Sequence, residues 1–323
     1  MLRSVVTGVG GYLPTEEVTN DDLAKIVDTS DEWIIERTGI RRRFRAPEGQ
    51  ATSDLAVEAA TAALAHAGRT AAQIDLIIVA TTTADLTFPA VAAIVQRKLG
   101  APVGIAFDVQ AVCSGFVYAL AVADGFVARG HAKCALVIGA ETMTRLMDWT
   151  DRGTCVLFGD GAGAVVLEPR EGEGTTADRG LLGFALRADG TKQDLLYVDG
   201  GPSTTGTVGK LRMQGNQVFR HAVVNLSEAV ISAAEAAGVA VSDIDWFIPH
   251  QANQRILDGV ARRLGIDENR VISTVANHAN TSAASIPLAW AQGVADGRIR
   301  PGHLLLVEGM GGGLTWGAAV IRL

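Results

Sequence analysis

The 323-residue chain has little of what marks a specialised protein class. Aromatic residues make up only 5%, so a core has to be built from Ala, Val, Ile and Leu, which the 48% hydrophobic content supplies. No apolar run approaches the roughly 18–20 residues that a membrane-spanning helix needs. Basic excess is absent too: the net charge is −7, which argues against general nucleic-acid binding. The three cysteines form no CxxC pair and show no metal-ligand spacing, which suits a reducing compartment. Residues 2–8 enter a strand-like run with no signal-peptide core, so a cytoplasmic location is expected. Glycine, by contrast, is plentiful. The 37 glycines fall at the ends of apolar runs rather than in low-complexity tracts, the pattern of a compact α/β enzyme.

The chain repeats itself once. A predicted helix over 54–67 leads through Gly68 to a buried strand over 74–80, and one over 221–237 leads through Gly238 to a strand over 244–250. Helices over 90–99 and 254–264 each close on a glycine, Gly100 and Gly265, before strands expected at 104–108 and 270–274. Polar loops then open apolar helices over 114–128 and 282–295, followed by strands at 135–139 and 304–308. Glycine turns at 159–163 and 311–313 pass into closing strands at 164–167 and 318–323. Strands alternating with helices predict mostly parallel sheets covered by helices, and two such halves stack as α/β/α/β/α layers. The polar segment 169–179 marks the junction, placing the halves at residues 1–170 and 171–323. A second polar stretch, 189–215, reads as a hairpin or surface excursion.

Ligands of parallel α/β sheets bind beyond the carboxyl ends of the strands. Cys113 lies there, in the loop opening the apolar helix of the first half. Asn280 lies in nearly the matching loop of the second half, and His250 ends a buried strand. A pseudo-two-fold axis brings these loops to one centre. A helix start favours a thiolate and lowers the cysteine pKa, and such a thiolate can take an acyl group from a thioester. His250 and Asn280 can donate hydrogen bonds to one carbonyl oxygen and stabilise an enolate. The Gly311–Gly313 run offers backbone N–H groups for an oxyanion hole, with Gly313 the candidate donor. Taken singly, each has an ordinary reading: an inert buried cysteine, a histidine capping a turn, a polar loop, hairpin glycines. Their joint placement at equivalent points of two repeats favours the chemical one. Cys134 and Cys155 sit in runs that read as buried strands, where cysteine acts as a small hydrophobe.

Four segments carry a specific resemblance: Ala111-Val112-Cys113-Ser114-Gly115-Phe116, Pro249-His250-Gln251-Ala252-Asn253, Asn280-Thr281-Ser282-Ala283-Ala284-Ser285 and Gly311-Gly312-Gly313. With Thr29-Ser30-Asp31-Glu32-Trp33-Ile34, Arg37-Thr38-Gly39-Ile40 and Asp151-Arg152-Gly153-Thr154, they resemble the beta-ketoacyl-ACP synthase III family across essentially the whole chain. The resemblance implies a thiolase-like five-layered fold. It implies condensation of an acyl-CoA primer, commonly acetyl-CoA, with a malonyl group on acyl carrier protein (ACP), giving beta-ketoacyl-ACP, CO2 and CoA at the start of type II fatty acid synthesis. In this reading Cys113 is acylated, while His250 and Asn280 promote decarboxylation, with no added cofactor or metal.

The resemblance also places the ligands. Trp33 and Arg152 would sandwich the CoA adenine, with Arg37 near the phosphates and Asn216 and Asn253 along the pantetheine. Arg255, Arg262 and Arg263 stand at i, i+7 and i+8 of one helix, and with Arg220 and Gln251 form the expected ACP dock. The arginine pattern alone equally fits a solvated helix face. Ala279 stands where the family often has Gly, and Met310, beside the acyl pocket, where it often has Phe. Phe88 resembles the residue that a dimer partner inserts into the acyl channel, so a homodimer is expected. Two other readings compete: a relative using a longer or unusual primer or another acceptor, and a non-catalytic thiolase-fold binder of thioesters. Retention of Cys113, His250 and Asn280 together argues against the last.

Overall fold

A computed structural model describes residues 1–323. Strand β1 (Leu2–Tyr12) comes first. The antiparallel pair β2 (Glu16–Thr19) and β3 (Arg42–Arg45) brackets helices α1 (Asn20–Ala24) and α2 (Asp31–Thr38). The first half continues with α3 (Thr52–Ala67), β4 (Leu76–Ala80), α4 (Val91–Leu99), β5 (Ile105–Val109), α5 (Gly115–Val127), β6 (Ala135–Thr142) and β7 (Asp160–Glu171). The second begins with β8 (Gly180–Ala188), the two-stranded excursion β9 (Leu196–Val198) and β10 (Leu211–Met213), then α6 (Gly215–Ala237). It ends with β11 (Trp246–Pro249), α7 (Gln254–Leu264), α8 (Val275–His278), α9 (Ser285–Ala295), β12 (Leu304–Gly311) and β13 (Thr315–Arg322).

Two sheets result, ordered β1-β7-β6-β4-β5 and β8-β13-β12-β11. Their strands are apolar on both faces, which only a layered fold can bury. On β4, Ile77 and Val79 pack outward under α3 and α4, while Leu76 and Ile78 face α5 and α9. On β12, Leu304 and Leu306 pack under α6 and α7, while Leu305 and Val307 face the same central helix pair. The α/β/α/β/α thiolase-type layering expected from the repeat is therefore present.

At the strand-to-helix junctions the repeat holds to the residue. The single-turn helices Val112–Ser114 and Ser282–Ala284, and the starts of α5 and α9 at Gly115 and Ser285, are each 170 residues apart. So are Gly139 and Gly309. A Cβ on Gly139 would lie 2.2 Å from the carbonyl oxygen of Ala283, and one on Gly309 would lie 2.9 Å from that of Cys113. Two sheets thus approach two helix starts so closely that only glycine fits.

Three local expectations change. Residues 270–274 form no strand beyond an isolated bridge between Phe247 and Val271, so the second sheet has four strands. Gly161 and Gly163 lie inside β7 rather than in a turn. A Cβ on Gly163 would lie 2.7 Å from the Leu288 nitrogen, so close approach of α9 is what excludes a side chain there. Cys155 is buried in turns before β7, and Cys134 lies one residue before β6.

Candidate active site

Cys113 sits in the single turn ahead of α5 rather than in its first turn. Ser114 ties that turn down, donating to the Ala111 carbonyl at 2.7 Å and pairing with Thr315 Oγ1 at 2.9 Å. Val112 holds φ = 49°, which is costly for a β-branched residue. The thiol is 4% exposed, and its hydrogen-bond partner is Ser282 Oγ at 3.5 Å. Burial pushes the thiol up to about 12, outweighing the Ser282 hydrogen bond, and the Glu141 charge adds to the rise. The lowered thiol pKa expected from a helix start is therefore overturned.

His250 follows β11 and is held by its backbone N–H on the Glu308 carbonyl at 2.8 Å. Its Nδ1 lies 2.6 Å from Ser285 Oγ, which also accepts from the Gln251 N–H at 3.2 Å. The Ser285 hydroxyl finds its acceptor in Nδ1, leaving the proton of a neutral ring on Nε2. Burial lowers the imidazole to about 3, so the ring is neutral at physiological pH. Asn280 follows Ala279, whose φ of 57° and ψ of −161° suit glycine better than alanine. Asn280 exchanges backbone hydrogen bonds with Leu157 and Gly159 of the first half, each 3.0 Å. Its Oδ1 accepts from the Ser282 N–H at 2.9 Å, which leaves Nδ2 as the free donor.

These three side chains line one cavity of about 760 Å³. Trp33, Arg37, Arg152, Asn216, Asn253, Arg255 and Met310 line it as well. One thiol and two hydrogen-bond donors thus meet in a chamber lined elsewhere by an indole and guanidinium groups.

Two family models match the chain: 3-oxoacyl-[acyl-carrier-protein] synthase III over residues 107–190 and its C-terminal counterpart over residues 234–323. The beta-ketoacyl-[acyl-carrier-protein] synthase III of Caulobacter vibrioides is 81% identical over 322 residues, covering 100% of both chains. The chain belongs to the beta-ketoacyl-ACP synthase III family. The Agrobacterium fabrum member is 58% identical, again over the whole of both chains. Among solved structures, the Aquifex aeolicus synthase III superposes with a TM-score of 0.93 at 44% identity, covering 99% of this chain and 100% of that one. The priming beta-ketosynthase of the R1128 polyketide pathway also reaches 0.93, at 37% identity, covering 99% and 96%. Membership makes the chain a condensing acyltransferase that initiates fatty acid synthesis.

In this beta-ketoacyl-ACP synthase III the cavity's other end is built by α2, Arg152 and the start of α7. Ser30 caps α2, accepting from the Trp33 N–H, and Gly39 closes it at φ = 78°, which fixes Trp33 and Arg37 on one short helix. Both the Arg37 and the Arg152 guanidinium lie over the Trp33 ring, at 4.8 and 5.0 Å from its centroid. A purine between Trp33 and Arg152 needs about 7 Å, two contact distances, so Arg152 has to swing away from its Asp28 partner. Asn253 caps α7 through its Oδ1 and donates from Nδ2 to the Arg37 carbonyl at 3.2 Å.

Arg220, Arg255, Arg262 and Arg263 are exposed, and none is in an ion pair. Gln251 does not belong with them. It is 0% exposed, donating to the Pro249 and Ile272 carbonyls and accepting from the Thr274 and Val275 N–H groups. Its amide is spent on holding the His250 loop, so a docking partner cannot reach it. Gly313 and Phe88 do not line the cavity; Gly309 and Gly311 are the glycines pressed against Cys113, and Phe88 is 82% exposed. Ser282, Ser285 and Glu141 were not singled out from sequence. The two serines lie inside the quoted Asn280–Ser285 segment, whereas Glu141 carries no sequence signal.

Proposed function

We propose that the chain condenses an acyl-CoA primer, acetyl-CoA foremost, with malonyl-ACP through an acyl-Cys113 intermediate. The convergence of Cys113, His250 and Asn280 in the cavity that also carries Trp33, Arg37 and Arg152 supports this reading. The Cys113 sulfur attacks the primer thioester and CoA leaves as its thiol. Malonyl-ACP then loses CO2, and the enolate oxygen accepts from His250 Nε2 and Asn280 Nδ2. The carbanion attacks the acyl-Cys113 carbonyl, forms beta-ketoacyl-ACP and expels the Cys113 sulfur, which takes up one proton from solvent to restore the thiol. The N–H of Cys113 is the candidate donor to that carbonyl oxygen.

In this proposal residues 1–170 carry the nucleophile and residues 171–323 the decarboxylating pair. CoA lies along Trp33, Arg37, Arg152, Asn216 and Asn253, and Met310 bounds the acyl pocket. The acidic ACP docks on Arg220, Arg255, Arg262 and Arg263. The enzyme works in the cytoplasm without an added cofactor, as a homodimer in which Phe88 reaches the partner. Mass spectrometry of Cys113 across acyl-CoA primers, followed by malonyl-ACP, tests the reading. Acetyl-Cys113 turning over with malonyl-ACP is expected. Loading only by long or branched acyl groups, or turnover only with another acceptor, would replace it with the secondary-metabolism alternative.

A further inference from the structure

Glu141 closes β6 with its carboxylate buried, 0% exposed. It accepts from the Thr82 N–H at 3.1 Å, from Thr83 Oγ1 at 2.5 Å, from Thr81 Oγ1 at 3.3 Å and from Ser282 Oγ at 3.1 Å. No Lys, Arg or His pairs with it. Ser282 Oγ is also the atom on which the Cys113 thiol donates. Thiol, hydroxyl and carboxylate therefore form one continuous donor chain. Ser282 is held at φ = 49°, a strained conformation outside glycine.

The internal repeat gives this donor relay no counterpart in the second half. The residue equivalent to Glu141 in the second half is Gly311, which packs on Val112 and the Cys113 N–H. One half has a close-packed glycine where the other has a buried acid beside the reactive thiol. His250, the other proton-bearing group of the site, makes no hydrogen bond to Cys113; its Nδ1 is committed to Ser285.

We propose that Glu141, acting through Ser282, accepts the Cys113 thiol proton as the sulfur attacks the primer and returns it to the departing CoA sulfur. As the Sγ–C bond forms, the thiol proton passes to Ser282 Oγ and the Ser282 proton passes to Glu141. As the C–S bond to CoA breaks, the same two transfers run backward onto the CoA sulfur. The balance is acyl-CoA plus thiol to acyl-Cys113 plus CoA thiol, with Glu141 again a carboxylate. Burial raises this carboxyl to about 7, against the hydrogen bonds of Thr83, Thr82, Ser282 and Thr81, so it can give and take a proton near neutrality. The titratable group on which the Glu141 charge acts is Cys113, across the facing turn. Glu141 is thus a positioning residue, reaching the reacting sulfur only through Ser282.

The inference rests on Cys113 being the nucleophile, not on which acyl group it carries. The test is therefore alkylation of Cys113 by iodoacetamide from pH 5.5 to 9, followed by mass spectrometry on the full-length protein. The wild-type rate should rise through an inflection near neutrality as Glu141 loses its proton. Glu141→Gln and Ser282→Ala should each remove the inflection and slow alkylation by on the order of 100-fold at pH 8. The double variant should be no slower than either single one. Glu141→Asp should restore part of the rate. Ser282→Ala keeps the backbone N–H that holds Asn280, so it serves as the readout if Glu141→Gln folds poorly. A retained inflection in Ser282→Ala, or single effects that multiply in the double variant, would overturn the relay. Failure of acetyl-CoA to load a normally alkylated Cys113 would instead count against the priming reaction.

Discussion

Ala283 occupies in the second half the position that Cys113 occupies in the first, 170 residues earlier and against an equivalent glycine. The scaffold is symmetric and the chemistry is not. His250 answers to Ala80, and Asn280 to Gln110, so each half supplies a part that the other lacks.

The close approach of β12 makes Gly311 sensitive. A Cβ there would lie 2.6 Å from the Cys113 nitrogen and 2.8 Å from Val112 Cβ. Gly311→Ala should cost about 1–3 kcal/mol of stability and slow acyl-Cys113 formation at least tenfold (order of magnitude, from overpacking). Gly125→Ala, on the open side of α5 with nothing near, should instead gain about 0.5–1 kcal/mol. Denaturant titration of the pair checks both signs.

His250 is assigned to the second half-reaction. His250→Ala should leave acylation of Cys113 by acetyl-CoA intact and lower condensation by about 100- to 1,000-fold, the usual loss for one oxyanion donor. Ser285→Ala, which frees the ring tautomer, should lower condensation about tenfold. Single-turnover assays of acyl-loaded enzyme separate the two steps, and equal loss of both would reassign His250.

Charge reversal on α7 should discriminate between substrates. Arg262→Glu lies outside the cavity and Arg255→Glu at its lining. Both should raise KM for malonyl-ACP about tenfold at low salt, with a smaller effect at high salt. Acylation by acetyl-CoA should hardly change in Arg262→Glu. Unchanged ACP kinetics would remove the dock.

Buried Glu308 should shape stability against pH. Burial pushes its carboxyl up to about 8 from 4.5, and Oε2 has no hydrogen-bond partner. Between those values the unfolded chain is ionised and the folded one protonated, so stability falls as pH rises through that window. Glu308→Gln should remove on the order of 3 kcal/mol of that fall, with little effect at pH 4.5. Denaturation midpoints at pH 5 and pH 8 decide it; a gain that is equal at both would mean that the carboxyl is already ionised in the fold.

Much of the site was readable because it sits where the repeat changes from strand to helix. Glycine at a helix end and a polar loop before an apolar run are local signals, and they marked Cys113, His250 and Asn280. Gln251 was placed at the dock by the resemblance, and no local pattern marks its burial. The β11–α7 loop instead turns that amide inward, onto four backbone groups. Glu141 was invisible for a different reason: an acid at the end of an apolar strand reads as the strand's solvent end, yet the second half covers it.

The sequence by itself determined the duplicated layers and the placement of one thiol, one imidazole and one amide beyond strand ends, because these follow from periodicity and local turn chemistry. Tertiary structure decided the protonation states. Burial across the interface between halves raises the Cys113 thiol and the Glu141 carboxyl and holds His250 neutral. Desolvation depends on what packs from 170 residues away, and no local pattern records it.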